Sequence, residues 1–244
     1  MSGGEDQLYT PLNVPKPLGA NIWVVDGPSV SFYGMPFPTR MTVLRVSGGL
    51  WVHSPIAPEE GLLAALDKLG PVRWLIAPNP LHYLHIGAWA KRFPDAVVWA
   101  APGVAARSAH HGLDFPVHRV LSDRPHSDWT GLIRQKLIPG HDLLQEVVFF
   151  HDATKSLILT DLIENFEPGK LGRFMKLATW IGGVQAPHGG TPRDAKLTWR
   201  DKPAAAAAIG EVIGWGPERV IMAHGKIIEE DAVGELERAF AWLS

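Results

Sequence analysis

Apolar positions along this chain follow two periods, one that predicts strands and one that predicts helices. Short apolar runs at Ile22–Val25, Met41–Val46 and Leu50–His53 read as strands, with Gly48 and Gly49 marking a hairpin between the last two. From Pro58 to Leu69 the period lengthens: Leu62, Leu63, Leu66 and Leu69 form one stripe opposite Glu59, Glu60, Asp67 and Lys68, which predicts a helix ended by Gly70-Pro71. The continuous run Val72–Ala77 then predicts a buried strand. Strand, helix and strand make a βαβ unit, whose strands run parallel and finish at one edge, so His53 and Asn79 are expected to share that edge. A helix from about Leu84 to Phe93, a strand at Ala96–Ala100 and a short helix from Gly103 to about His110 continue the alternation. Strands return at Leu132–Ile138, Glu146–Phe150 and Ser156–Asp161, the last two joined through residues 151–155 as an antiparallel hairpin. A helix around Leu171–Trp180, a glycine- and proline-rich loop over residues 182–194, a helix at Pro203–Ile213, a strand at Val220–Ala223 and a helix at Glu230–Trp242 complete the pattern. A block of strands, a βα section, a hairpin and a terminal βα pair predict an α/β protein of two sheets with helices outside, a four-layer αββα sandwich.

Length and composition narrow this further. The 244 residues are expected to form one domain, with an irregular segment over residues 1–19. A net charge of −2, from 23 basic and 25 acidic residues without a cationic block, selects neither nucleic acid nor a membrane as partner. The absence of cysteine removes disulfides, thiolate ligands and a thiol nucleophile, so any metal must sit on nitrogen and oxygen. The first residues lack the basic and apolar regions of a signal peptide, and no apolar run approaches the roughly 20 residues of a membrane span, so a cytoplasmic protein is expected. Neither a glycine-rich phosphate loop nor a nucleophile elbow is present in the sequence.

The candidate chemistry lies where apolar strands end. His82 and His85 follow VRWLIAPNP, His141 lies in LIPGHD, Asp161 closes SLILTD and His224 closes RVIMA. Rigid strands hold side chains at one edge of a sheet while loops admit substrate, so five potential ligands at such positions point to a metal site. On a first helical turn His82 and His85 would share a face, their Cβ atoms about 5–6 Å apart. The hairpin brings His141 to the end of the strand that closes on Asp161 and places His151 in the far turn, away from the site. Each residue taken alone is equally at home as a cap or a partly exposed polar group. His53, Asn79 and Asp142 are candidate partners behind the ligands or substrate contacts, and His188 can enter from the glycine-rich loop.

This order of βαβ unit, histidine pair, Gly-His before a hairpin, strand ending in Thr-Asp and strand ending in His-Gly resembles the metallo-β-lactamase fold superfamily. Within it, RMTVLRVSGGLWVHSPIAP, LGPVRWLIAPNPLHYLHIGAWAKRFPDA and LLQEVVFFHDATKSLILTDLIENF resemble a branch designated a domain of unknown function, over most of residues 20–228. The superfamily motif His-x-His-x-Asp-His, laid on His82 and His85, puts Pro80 at its first histidine and Leu84 at its aspartate. The resemblance implies one half-site of His82, His141 and Asp161 and another of His85, Asp161 and His224, with Asp161 and His224 closest to the chemistry. With two ligands missing, it implies a single divalent metal, zinc first, with iron or manganese also suited to imidazole and carboxylate. The implied activity is hydrolysis of a small ester, lactone, thioester or phosphate. A chain that has lost part of the site and serves as a binding or regulatory protein is the alternative.

Overall fold

In a computed structural model, which describes residues 8–141 and 144–244, the strands form two sheets. The first contains β1 (Lys16–Gly19), β2 (Ile22–Phe32), β3 (Met35–Val46), β4 (Gly49–His53), β5 (Val72–Ala77), β6 (Val97–Ala100) and β7 (Arg119–Val120), neighbours in chain order. It is antiparallel from β1 to β4 and parallel from β4 to β7. The parallel part is connected by α1 (Glu60–Asp67), α2 (Ile86–Arg92) and α3 (Val104–His110), as βαβ crossovers require. The second sheet has the order β11–β10–β9–β8, from β8 (Ile133–Ile138), β9 (Glu146–His151), β10 (Ser156–Ile158) and β11 (Arg219–Ile221). The helices α4 (Arg173–Gly182), α5 (Arg193–Leu197), α6 (Lys202–Ile213) and α7 (Ala232–Phe240) belong to this half of the chain.

Strand β9 shows why the layers stack. All six of its residues are buried, the mark of a strand covered on both faces. Val147 and Phe149 join the core of the first sheet, with Val43, Trp51 and Ile76. Val148 and Phe150 join Ala205, Ile209, Leu236 and Phe240 of α6 and α7. The sequence is therefore helix, sheet, sheet, helix: the αββα sandwich. At the start of α6 the Asp201 carboxylate accepts the Ala204 N–H, and the alanine run that follows has the highest helix propensity. None of the helices among the described residues is long and apolar enough to cross a membrane.

The structure departs from the sequence expectation at several points, among them β1 within the segment expected to be irregular and β7 and α5 where no element is expected. Strands β2 and β3 run far past Val25 and start well before Met41, meeting at Tyr33-Gly34, both with positive φ. Gly27, Pro28, Pro36 and Pro38 read as strand breakers, but a register offset between Gly27 and Val30 absorbs the irregular stretch, and two residues with positive φ make the tight hairpin. Strand β10 ends at Ile158 rather than at Asp161, because the N–H groups of Thr160 and Asp161 turn to the Glu146 carboxylate. His151 is the buried last residue of β9, hydrogen-bonded to Thr154 Oγ1, rather than a turn residue.

Candidate metal centre

The site is built around Asn79, a buried residue in the turn after β5. Its Oδ1 accepts the N–H groups of Leu81 (2.8 Å) and His82 (2.9 Å), which fixes the orientation of its amide. Nδ2 must then face the other way, where it meets Asp161 Oδ2 (2.6 Å), Thr160 Oγ1 (2.8 Å) and Glu146 Oε2 (2.9 Å). Glu146, at the start of β9, is buried and accepts the backbone N–H of Thr160 (2.6 Å) and of Asp161 (2.9 Å). One amide therefore sets the backbone of His82 and the carboxylate of Asp161 together, and one carboxylate shapes the chain that carries Asp161.

Three potential ligands converge there. His82 Nε2 lies 3.1 Å from Asp161 Oδ1, and His224 Nε2 lies 3.4 Å from the same oxygen. The three ligand atoms are all within 4.8 Å of one another. Each imidazole is held from behind: His82 Nδ1 is 2.7 Å from Ser54 Oγ, just past β4, and His224 Nδ1 is 2.7 Å from the Pro38 carbonyl of β3. The turn after β11 that carries His224 is tight. Gly225 has φ +100°, and a Cβ there would collide with the carbonyl of Asn165. Buried Arg40 secures the same turn, donating to the carbonyls of Met222 (2.9 Å) and Gly225 (2.8 Å) while its Nε pairs with Asp26 at 2.8 Å.

The electrostatics follow from this packing. Burial works against an ionised Asp161, but the His82 charge and the hydrogen bonds of His224 and His82 outweigh it and hold the carboxyl well below the usual carboxylate range. Burial also works against a charged His82, and there the Asp161 carboxylate wins and raises the imidazole. Glu146 is raised, by burial first and then by the charge of Asp161, although the N–H groups of Thr160 and Asp161 oppose the shift. Glu164, half-buried in the same cavity, is pushed up to about 7, mainly by burial and further by Asp161 and Asp194.

The donor set suits a divalent metal. A carbonyl oxygen only accepts, so His224 Nδ1 is the donor there, and the Nε2 that faces the Asp161 oxygen needs a proton or a metal between the two. Without either, two acceptors at that range repel. Two imidazole nitrogens and one carboxylate oxygen match the three protein ligands of a catalytic zinc, with their far nitrogens hydrogen-bonded as metal-binding histidines require.

The remaining candidates stand elsewhere. His85, the residue before α2, is half-buried and lines the cavity, its pKa lowered by burial, but it does not join the cluster of three. His141 is engaged away from it: Nδ1 accepts the Leu144 N–H (2.9 Å), Nε2 meets Thr198 Oγ1 (2.7 Å) and the ring packs edge-on against Trp199. The two half-sites implied by the resemblance are therefore not assembled as such; one ligand from each meets at Asp161. His53 is buried beside Trp51 and Phe149, its Nε2 without a hydrogen-bond partner, and burial together with the neighbouring His82 lowers its pKa to about 3. His188 is exposed and pairs with Glu235. Asp142 lies outside the described residues. Leu84, at the motif's aspartate position, is 50% exposed and lines the cavity.

Sequence reading passed over Glu146, Glu164, Ser54, Pro38 and Arg40. For Glu146 a signal existed. The β9–β10 register runs from Ser156 opposite His151 to Ile158 opposite Phe149, and counting three residues further along the hairpin expected from the sequence sets Asp161 opposite Glu146. Two carboxylates facing each other across a hairpin are unfavourable unless a cation or donors lie between them.

Comparison with solved structures yields metallo-β-lactamases at low identity. The DIM-1 metallo-β-lactamase exposed to ceftazidime shares 16% identity at a TM-score of 0.65, with 98% of each chain covered. The FIM-1 enzyme of Pseudomonas aeruginosa in its mono-zinc form shares 13% at 0.64, covering 93% of this chain and 94% of that one. A metallo-β-lactamase from Pontibacter korlensis shares 13% at 0.61, covering 96% and 99%. No curated protein sequence matches the chain. The family model described as "Domain of unknown function (DUF4336)" matches residues 20–171, more than half of the 244 residues. The chain belongs to that family, on a metallo-β-lactamase fold.

Proposed function

We propose that the chain is a metal-dependent hydrolase with one divalent metal on His82, Asp161 and His224, zinc first, acting on an ester, lactone, thioester or phosphate ester. The observation that carries this reading is the convergence of two imidazole nitrogens on one carboxylate oxygen, each imidazole held from behind. A metal bound there supplies Lewis acidity toward a carbonyl or phosphoryl oxygen and acidifies water. The chain's own groups do the rest. Asn79 orients the carboxylate, and Ser54 and Pro38 orient the imidazoles. Leu84 offers no carboxylate for proton handling. Glu164, with its carboxyl near neutrality in pKa, is placed in the same cavity to hold or deliver a proton for the leaving group.

Elemental analysis of protein purified without added metal tests the reading. Close to one metal ion per chain is expected, falling away in His224→Ala and Asp161→Asn. A metal content near zero in all three proteins sinks it. Pro80 and Leu84, at two ligand positions of the superfamily motif, favour a second reading, a non-catalytic binding protein. Thermal unfolding unchanged by chelator, together with no hydrolysis of carboxylic esters or phosphodiesters, is the result that reading requires.

A further inference from the structure

The cavity that reaches His82, Asp161 and His224 has a volume of about 830 Å³. That lies toward the upper end of cavities that enclose drug-sized ligands, roughly 300–1,000 Å³. Its walls are mostly apolar, with Phe37, Ile56, Leu81, Phe166, Met175 and Val184 among them. Two elements supply much of this wall. The β2–β3 hairpin contributes Val30, Phe32, Tyr33, Met35 and Phe37, and the inner face of α4 contributes Met175, Ala178, Thr179 and Gly182.

The apolar lining also continues into solvent. Tyr33, Leu84 and Ile181 line the cavity yet are 84%, 50% and 54% exposed. A small polar ester would leave most of this volume as water against hydrocarbon and would make no use of the apolar rim. A long hydrocarbon chain would use both, since it gains from every methylene it withdraws from water.

We infer that this cavity takes the hydrocarbon chain of the substrate, which is a long-chain acyl ester or thioester with its carbonyl at the His82, Asp161 and His224 end. The position of the carbonyl rests on the hydrolase reading above; the chain pocket rests on the walls alone. The reaction is hydrolysis and balances without a further reagent. The water oxygen bonds to the carbonyl carbon, the carbon–oxygen or carbon–sulfur bond to the leaving group breaks, one water proton passes to the alcohol or thiol, and the acid product sheds the other to solvent.

Calorimetric titration of metal-free protein with decanoate and with butyrate reads the pocket without reference to catalysis. Each buried methylene is worth about four-fold in affinity, equivalent to about 0.8 kcal/mol, and ordering the chain takes part of this back. Over the about six methylenes that separate the two acids, decanoate is expected to bind at least ~100-fold more tightly. Filling the pocket from either wall, with Ala178→Trp or Val30→Trp, should weaken decanoate at least ten-fold in variants that still unfold cooperatively. Equal affinity for the two acids in the native-sequence protein overturns the inference, whatever the variants do. Metal-loaded protein assayed on p-nitrophenyl esters from acetate to decanoate separates the two readings. A rate constant kcat/KM that climbs with chain length supports both, and a flat or falling series overturns the acyl substrate. If decanoate binds tightly but no ester of any length is cleaved, the hydrolase reading fails and the chain pocket stands.

Discussion

Asn79 touches both halves of the candidate centre, and its value is geometric. With Oδ1 committed to two backbone N–H groups and Nδ2 to Asp161, Glu146 and Thr160, no hydrophobic residue can replace it without leaving buried carboxylate oxygens short of donors. Asn79→Leu is therefore expected to lower metal affinity about 10–100-fold, the range found for partners that orient ligands. Competition with a chromogenic chelator measures this, and an affinity within two-fold of the parent would remove Asn79 from the site. His53 carries a second residue-scale prediction. A buried imidazole lowered from 6.5 to about 3 is neutral in the folded chain but charges in the unfolded one, so it contributes stability that is present above pH 6.5 and is lost as pH falls toward 3. His53→Phe removes that loss while keeping the ring against Trp51 and Phe149. The variant should gain about 2 kcal/mol on the parent between pH 6.5 and 4.5, by urea unfolding at each pH. Parallel pH profiles would show that His53 does not titrate in this way. At this scale the sequence was legible in kind more than in direction. Strand-end positions single out His82, His85, His141, Asp161 and His224 alike, and nothing local shows that His141 turns toward Thr198 or that the bond partners of the imidazoles are Ser54 and a carbonyl of Pro38.

Elements were legible where hydrophobic period alone decides them, as in α1, β5 and β9, and illegible where tertiary contacts override local signals. Gly27 and the prolines at 28, 36 and 38 disguise the long β2–β3 hairpin, yet that hairpin supplies a wall of the cavity, the carbonyl that orients His224 and the arginine that holds the His224 turn. Arg40 is the link between elements distant in sequence: it joins β3 to the turn after β11 and neutralises Asp26, itself also paired with Lys16. Arg40→Met would leave two buried carbonyls without that donor and Asp26 Oδ1 without its guanidinium partner, while Lys16 stays on Oδ2. Breaking such a pair costs about 3–5 kcal/mol. With Lys16 still paired to Asp26 that figure is an upper bound, so urea unfolding should show a loss of about 1–4 kcal/mol, partly recovered in Arg40→Met/Asp26→Leu because the half-paired carboxylate goes with its partner. A loss below about 1 kcal/mol would show that the turn holds itself.

At the scale of the whole molecule, the three candidate ligands come from both sheets: His82 follows β5 of the first, and Asp161 and His224 follow β10 and β11 of the second. A metal held by all three ties the two sheets together, and since it binds only where they are assembled, it stabilises the native state. At a free metal concentration about 100 times Kd the gain is about 2.7 kcal/mol, which for a chain of this size raises Tm by about 5–10 °C. The gain depends on pH with a definite sign. In the metal-free protein His82 has a raised pKa, so its proton stabilises the fold at low pH and that contribution fades as pH rises through the folded value, above 6.5. A metal must displace that same proton, so its contribution grows over the window in which the proton's contribution fades. The separation in Tm between metal-loaded and chelator-treated protein should therefore widen from pH 6 to pH 8. Calorimetric titration in buffers of different ionisation enthalpy should show proton release on metal binding near pH 6.5 that shrinks toward pH 8. A separation in Tm that is constant over this range would mean that the metal does not compete with the His82 proton, and no separation at any pH would mean that the convergence of His82, Asp161 and His224 serves packing alone.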